Sequence, residues 1–515
     1  MPTAPRACIA RASQLVAAAC LTFASVHSAL AQQRPVLIAN LSALPAAPSP
    51  GLSSSAGDLP QAPSAVMASD PGSVLRTTGG TVIPRATAGP LALSLDDAIN
   101  YGLRNNYQLA SLRTQDRVVR GEILSVENSL LPSLSASAES NAEELNLAAM
   151  GFKPAALAAF GFAPGQIATI VKVQTTGAQL NLSQTVLSLP DYYLYQAAKK
   201  AANATALGVL NGRGGVTEAI GVQYIKCLAD TAQIADSKAL LKADEEVLRQ
   251  ATLSHDAGIS PNIDVLRAKV QFQQQQQAVI QAENDFAKDK ISLNRLMGLP
   301  AEQELNLTDT VPYADLAETP LPEALIIAYS RRKDLLTLQA EVEATVRERK
   351  AAKYEYVPTL GINGFYGVLG ETTGSYHGDF VAQGSLKIPI FREAQYRGER
   401  EVADAQLISL RHQIESLRVS IEEQIRASML DVESSAQLVK VARSNVDLAS
   451  EELDETTERF KAGVDDSLPV VKAQAALADA QSRLISSEFQ NNQAKLDLAR
   501  NTGVVETQYR QYLGR

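Results

Sequence analysis

Between Gln395 and Gly503 the apolar residues form one narrow stripe. Leu407, Leu410, Ile414, Leu417, Ile421 and Ile425 recur at spacings of three and four, while Arg411, Glu415, Arg418 and Glu422 fill the other faces. A stripe this narrow is a coiled-coil seam, not the broad face of a globular core helix. No proline occurs between Ile390 and Leu468, so the pattern predicts one unbroken helix over 395–461. At about 1.5 Å per residue it would be on the order of 100 Å long. Such a helix needs neighbours along its whole length, as in a coiled coil or a helical tube. The stretch Ala462-Gly463-Val464-Asp465-Asp466-Ser467 ends it. Gly463 suits a left-handed helix end, and Asp466 or Ser467 suits the next N-cap. A second helix is predicted over 468–501, with Pro469 in its first turn, where proline is tolerated.

Elsewhere the period shortens to two. In 380–390, Phe380, Ala382, Gly384, Leu386, Ile388 and Ile390 alternate with Val381, Gln383, Ser385, Lys387 and Pro389. In 359–370, Leu360, Ile362, Gly364, Tyr366 and Val368 hold one face, and in 171–184 Ala178, Leu180 and Leu182 oppose Gln179, Asn181 and Ser183. A fourth strand is predicted over 133–145, where residues are small and polar. Alternation of this length suits a membrane barrel wall with a lipid face and a wet lumen. Taken alone it suits an ordinary soluble hairpin better.

The chain repeats itself, which organises these elements. At a shift of 226 residues, Ala98 matches Ala324, Leu109 matches Leu335 and Pro132 matches Pro358; at a shift of 205, Ala257-Gly258 matches Ala462-Gly463, Arg295 matches Arg500 and Gly298 matches Gly503. The unit is helix, two strands, long helix, glycine turn, helix. The first repeat covers 91–300, with helices 91–131, 190–256 and 262–297. An equatorial linker covers 301–320. The second repeat covers 321–503, with helices 321–357, 395–461 and 468–501, and a tail covers 504–515. The change of shift locates an insertion between Asn146 and Ile170, in a loop joining the first strand pair at an exposed end. Four strands cannot close a barrel, since about eight is the practical minimum. A spanning barrel must pool strands from several subunits.

The N-terminus supplies the compartment. Residues 1–31 read as a secretion signal: Arg6 and Arg11, an apolar run, then Ala29-Leu30-Ala31 before Gln32 as the cleavage site. Cys20 is the alternative, as a lipidated cysteine, although Ala17 stands where leucine is preferred. Residues 32–90, rich in Pro, Ala, Ser and Gly, are expected to be a disordered linker. Export and duplication favour the membrane barrel over the soluble hairpin. The formal net charge is −9, which argues against nucleic-acid binding. With Cys8 and Cys20 in the signal, Cys227 stands alone, so no internal disulfide is expected and Cys227 reads as a packing residue. His255, His377 and His412 are far apart and lack metal-ligand spacing. No enzyme constellation, cofactor site or metal site is expected. The best candidate sites are the two turns, where Asp256, Asp264, Asp465 and Asp466 gather. The alternative reading of these aspartates, Asp466 above all, is as helix caps, while Asp465 is freer to face a pore.

With these pieces in place the chain resembles the TolC-type outer membrane efflux protein family. The resemblance covers 91–503 and rests on the duplicated plan, the paired Ala-Gly turns and Leu386-Lys387-Ile388-Pro389-Ile390-Phe391, which is similar to that family's strand-to-helix exit. It implies a homotrimer, with one twelve-stranded outer membrane barrel in the lipid bilayer and a helical tunnel across the periplasm. The tips Ala257, Gly258, Ala462 and Gly463 would meet an adaptor protein and an inner membrane pump. The family's constriction carboxylates would fall at Pro469 and Lys472, and in the first repeat at Asp264 and Arg267. Asp465, Asp466 and Asp264 are therefore the expected constriction residues here. The function implied is a passive export duct. A periplasmic adaptor with a coiled-coil hairpin is the alternative.

Overall fold

The element order of the chain is set by two pairs of very long helices that run into a single sheet. In a computed structural model the described residues are 89–149, 170–258, 260–310, 314–316, 319–372, 374–462, 464 and 467–514. The signal, its cleavage site at Ala31 and Gln32, the 32–88 part of the linker, the tip of the first inserted loop, Gly463, Asp465 and Asp466 lie outside them. In chain order the elements are β1 (Leu91–Leu93), α1 (Leu95–Asn105), α2 (Tyr107–Glu127), β2 (Ser133–Asn146), β3 (Ile170–Leu187), α3 (Leu189–Asp256) and α4 (Asn262–Met297). The second half follows with β4 (Leu305–Leu307), α5 (Leu321–Arg331), α6 (Lys333–Lys353), β5 (Thr359–Glu371), β6 (Tyr376–Lys387), α7 (Glu393–Lys461), α8 (Ser467–Asn501) and α9 (Val505–Tyr512). α3 has 68 residues and α7 has 69, so each is on the order of 100 Å long. Among the described residues no helix is apolar enough to cross a membrane.

The four long strands form one antiparallel sheet in the order β2-β3-β5-β6, and within the chain β2 and β6 are its edges. The register gathers the alternating residues by chemistry. Ala136 pairs with Leu180, Leu180 with Tyr366 and Tyr366 with Phe380, all on one face. On the other face, Asn181 donates to Ser137 at 3.0 Å, Ser183 to Asn363 at 2.9 Å and Asn363 to Ser385 at 3.4 Å. β6 stops at Lys387 rather than 390, because Pro389 has no N–H to continue the ladder. Ile390 and Phe391 are left 93% and 94% exposed.

The seam along α7 packs as its spacing predicts: Ile421 and Ile425 are fully buried against Ala324, Ala328, Leu335 and Leu498. Each buried isoleucine contributes about 1.5–3 kcal/mol relative to exposure. A second apolar stripe on α7 is uncovered. Ile408, Val419, Leu430 and Val441 recur every eleven residues, and all are more than half exposed. Eleven residues make three turns, so these four side chains share one face.

Several boundaries differ from the sequence expectation. The helix expected over 91–131 begins with β1 and is interrupted at Asn106, and the helix expected over 321–357 is interrupted at Arg332 and ends at Lys353. The two interruptions are equivalent under the 226-residue shift and share one cause. Asn106 donates its side-chain amide to the carbonyl of Leu296 at 2.8 Å, and Arg332 donates to the carbonyl of Asn501 at 3.3 Å. Leu296 and Asn501 are themselves equivalent under the 205-residue shift. Each break therefore caps the open C-terminal end of the helix that returns to it. Gly298 and Gly503 (φ 71° and 78°) follow those ends. Leu299 N–H reaches Asn294 O at 2.8 Å and Val504 N–H reaches Ala499 O at 2.9 Å, the left-handed glycine cap in both repeats.

The linker and the tail also hold structure. β4 pairs in parallel with β1, Leu91 with Leu305 through Leu93 with Leu307. Asp309 accepts from the Leu95 N–H at 2.8 Å and from the Tyr224 hydroxyl at 3.0 Å. α9 seals the same girdle, with the Tyr509 hydroxyl donating to Asp96 at 2.5 Å. Cys227 lies in this core, where burial pushes its thiol up to about 12, as expected of a packing residue.

Candidate functional site

The two helical tips are the candidate site, and their duplication is visible in the backbone. α3 ends at a cap on Ala257 (φ −77°, ψ −3°) and α7 at a cap on Ala462 (φ −76°, ψ −3°). Gly258 follows at φ +71°, and a Cβ there would meet nothing within 4 Å among the described residues, so glycine is favoured there for its backbone. His255 sits across the turn, its Nδ1 3.0 Å from the Ser260 carbonyl. Pro261 takes the N-cap position of α4 and leaves no orphan N–H of its own.

Asp264, expected at the constriction, occupies the junction between the two hairpins. It is 3% exposed, and the Ser467 hydroxyl, 0% exposed, donates to its Oδ1 at 2.8 Å. Arg267 approaches the same oxygen at 3.5 Å. Ser467, expected as an N-cap, is the first residue of α8, and its hydroxyl ties α8 to α4. Ser467→Ala should remove this tie and leave a buried carboxylate short of a donor, at a cost of about 2 kcal/mol. Faster hydrogen exchange at the adjoining ends of α4 and α8 is the expected readout, and unchanged exchange would mean that the tie does not hold the two helices together.

A second buried acid lies about three turns above the first tip. Asp244 is 2% exposed, and among the described residues no hydrogen bond of normal geometry reaches either carboxylate oxygen. Burial pushes it up to about 6, with Gln271 pulling the other way. On α8, Gln474 is also buried, and its Oε1 lacks a partner among the described residues. The sequence reading missed Asp244, although a signal existed. Ser237, Leu240, Asp244 and Ala251 are spaced as one helix stripe and all are buried, so the aspartate stands in a seam position. Farther up, Arg500 approaches Glu218 at 3.3 Å and donates to Asn211 at 2.9 Å. Burial raises Glu218 to about 7. Among the described residues no cluster of three His, Cys, Asp or Glu could hold a metal ion.

The arrangement of sheet, long helices and tips has counterparts among known proteins. Residues 325–504 match the family model described as outer membrane efflux protein. The pyoverdine export outer membrane protein OpmQ of Pseudomonas putida is 22% identical over 54% of this chain and 60% of its own length. The chain thus spans three fifths of that relative. The outer membrane protein TolC of Escherichia coli is 19% identical over 66% of this chain and 71% of its own length. Among solved structures, the CmeC outer membrane channel of Campylobacter jejuni superposes with a TM-score of 0.67 at 14% identity, covering 80% of this chain and 86% of that one. At that identity the superposition speaks for the fold.

Proposed function

We propose that this chain, which belongs to the TolC-type outer membrane efflux protein family, is the outer membrane channel of a tripartite efflux or type I secretion system. The observation that carries the reading is the four-stranded sheet with two free edges, running directly into helices on the order of 100 Å long. Three copies would close a twelve-stranded barrel, the apolar face toward lipid and the hydroxyl and amide face toward water. The uncovered stripe of Ile408, Val419, Leu430 and Val441 would pack on a neighbouring subunit's helices. The loop between Asn146 and Ile170 would turn outside the cell, and cleavage between Ala31 and Gln32 would release the mature chain.

At the other end the tips Ala257, Gly258, Ala462 and Gly463 would meet a periplasmic adaptor, coupled to an inner membrane transporter. We place the constriction on Asp465 and Asp466. Asp264 is committed to Ser467 in the single chain and would set the position of that ring. Three copies of the pair would put up to six like charges around a narrow opening, which disfavours full ionisation and attracts cations. Opening would come from splaying of the tips on the adaptor. Two hairpins continuous with one sheet favour this channel over a periplasmic adaptor.

Single-channel recording on the purified protein tests the reading. The parent should run as a trimer under mild detergent conditions and conduct with cation preference. Asp465→Ala with Asp466→Ala should weaken that preference while the trimer persists. A monomer would refute the architecture; an unchanged preference in a stable double variant would refute only the gate.

A further inference from the structure

Where the sheet passes into the helices, three elements repeat one chemical order. After β3 come Tyr192, Tyr193 and Tyr195, then Lys199 and Lys200; before β5 come Arg349, Lys350 and Lys353, then Tyr354 and Tyr356; after β6 come Ile390 and Phe391, then Tyr396, Arg397 and Arg400. Reading away from the sheet, apolar or aromatic side chains come first and cations second. The tyrosines form connected pairs rather than isolated contacts. Tyr193 stacks on Tyr354 at 5.2 Å, and Tyr356 meets Tyr396 edge-on at 6.0 Å. Cations cover them: Lys350 lies 5.8 Å from the Tyr193 ring and Arg400 lies 5.5 Å from the Tyr356 ring. Tyrosine with a wet hydroxyl and an apolar body is the side chain that settles at a bilayer surface.

Just beyond this collar a groove of about 660 Å³ runs between α6 and α7. Its lining holds six cations, Arg349, Lys350, Lys353, Arg397, Arg400 and Arg411, against three acids, Glu393, Glu401 and Asp404. In a chain of net charge −9 this is a local excess of the opposite sign. Two cations are internally engaged: Arg349 pairs with Asp404, and Arg400 pairs with Glu393 at 3.4 Å. Lys353, Arg397 and Arg411 form no ion pair among the described residues. Glu401 is the remaining acid in the lining, so the cations still outnumber the carboxylates, and an anion in the groove would offset their mutual repulsion.

The geometry points to the groove as a binding site for anionic glycerophospholipid headgroups of the periplasm-facing leaflet, gripping the leaflet at the barrel's lower rim. This rests on the barrel reading above, because only a sheet in the membrane brings headgroups to this level. The fully exposed Ile390 and Phe391 lie between sheet and groove, where acyl chains would meet them. Guanidinium and ammonium groups below then meet phosphate oxygens, with Arg offering two parallel donors.

The test uses the full chain purified in a nonionic detergent. Parent and a Lys353→Gln/Arg397→Gln/Arg411→Gln variant are first floated with phosphatidylethanolamine vesicles, where both should rise with the lipid. Phosphatidylglycerol is then titrated and bound lipids are counted by native mass spectrometry, with and without inorganic phosphate at matched concentration. The variant should lose affinity for phosphatidylglycerol by about fivefold for each cation removed, and phosphate should not displace the lipid from the parent. Equal affinity in parent and variant would overturn the site. Displacement by phosphate would reassign it to small anions and overturn the lipid assignment. If the parent itself fails to float, the barrel reading falls and the headgroup site falls with it.

Discussion

Gly298→Ala is expected to destabilise the protein by about 3 kcal/mol, far more than the same change at Gly258. Both glycines have φ +71°, so both substitutions carry the left-handed penalty of about 1–2 kcal/mol. The surroundings separate them. At Gly258 a new Cβ meets nothing within 4 Å among the described residues, whereas at Gly298 it runs into the backbone carbonyl of Asn105. Backbone cannot move aside as a side chain tip can, so overpacking adds about 1–3 kcal/mol. Asn105 immediately precedes the break at Asn106, whose side chain caps the end of α4. The clash would therefore push apart the capped ends themselves. Gly503→Ala should behave like Gly298→Ala, since its Cβ would lie 2.9 Å from the Arg332 nitrogen at the equivalent break. Thermal melts of the three variants give the answer. Equal shifts for Gly298→Ala and Gly258→Ala would mean that the close approach carries no energy.

Asp244→Asn is expected to stabilise the helical hairpins at pH 8, and less so as the pH falls. The folded protein holds this carboxyl at about 6, above its ordinary value of 3.8. The folded state thus binds the proton more tightly than the unfolded chain. The stabilising contribution of the protonated acid is complete below about pH 3.8 and is lost as the pH rises through about 6. Above that window the chain must bury a charge with no cation to offset it among the described residues, or take up a proton against the solution. Asparagine keeps the shape and removes the charge, so its advantage at pH 8 should reach about 3 kcal/mol and shrink towards pH 4. The comparison of parent and variant across pH cancels the titration of other carboxylates. An advantage independent of pH would show that Asp244 is not the group responsible.

The candidate site was legible in part. Paired glycine turns marked both tips, and the Gly258 backbone shows why glycine stands there. The Asp264–Ser467 tie was not legible, because the partners are 203 residues apart and each looks like an ordinary helix cap. Asp244 was overlooked for a different reason. A charged residue in a seam violates the binary pattern, and only its buried surroundings show that it is not simply a residue facing water.

The sequence by itself determined the period of each segment and therefore the faces of the helices and strands. Ile421 and Ile425 are buried where a seam spaced by three and four puts them, and Leu180, Tyr366 and Phe380 meet on one face because strand side chains alternate. It also determined the duplication, since Gly and Pro mark positions where the backbone itself is constrained. The tertiary structure alone decided where helices stop without such a marker. Asn106 and Arg332 interrupt helices because the ends of α4 and α8 arrive there with unsatisfied carbonyls. β4 exists because β1 lies beside it, and among the described residues β1 in turn pairs only with β4. A periodic pattern records which side of an element faces the interior. It carries no record of a backbone group delivered from about two hundred residues away, and at these positions that group sets the structure.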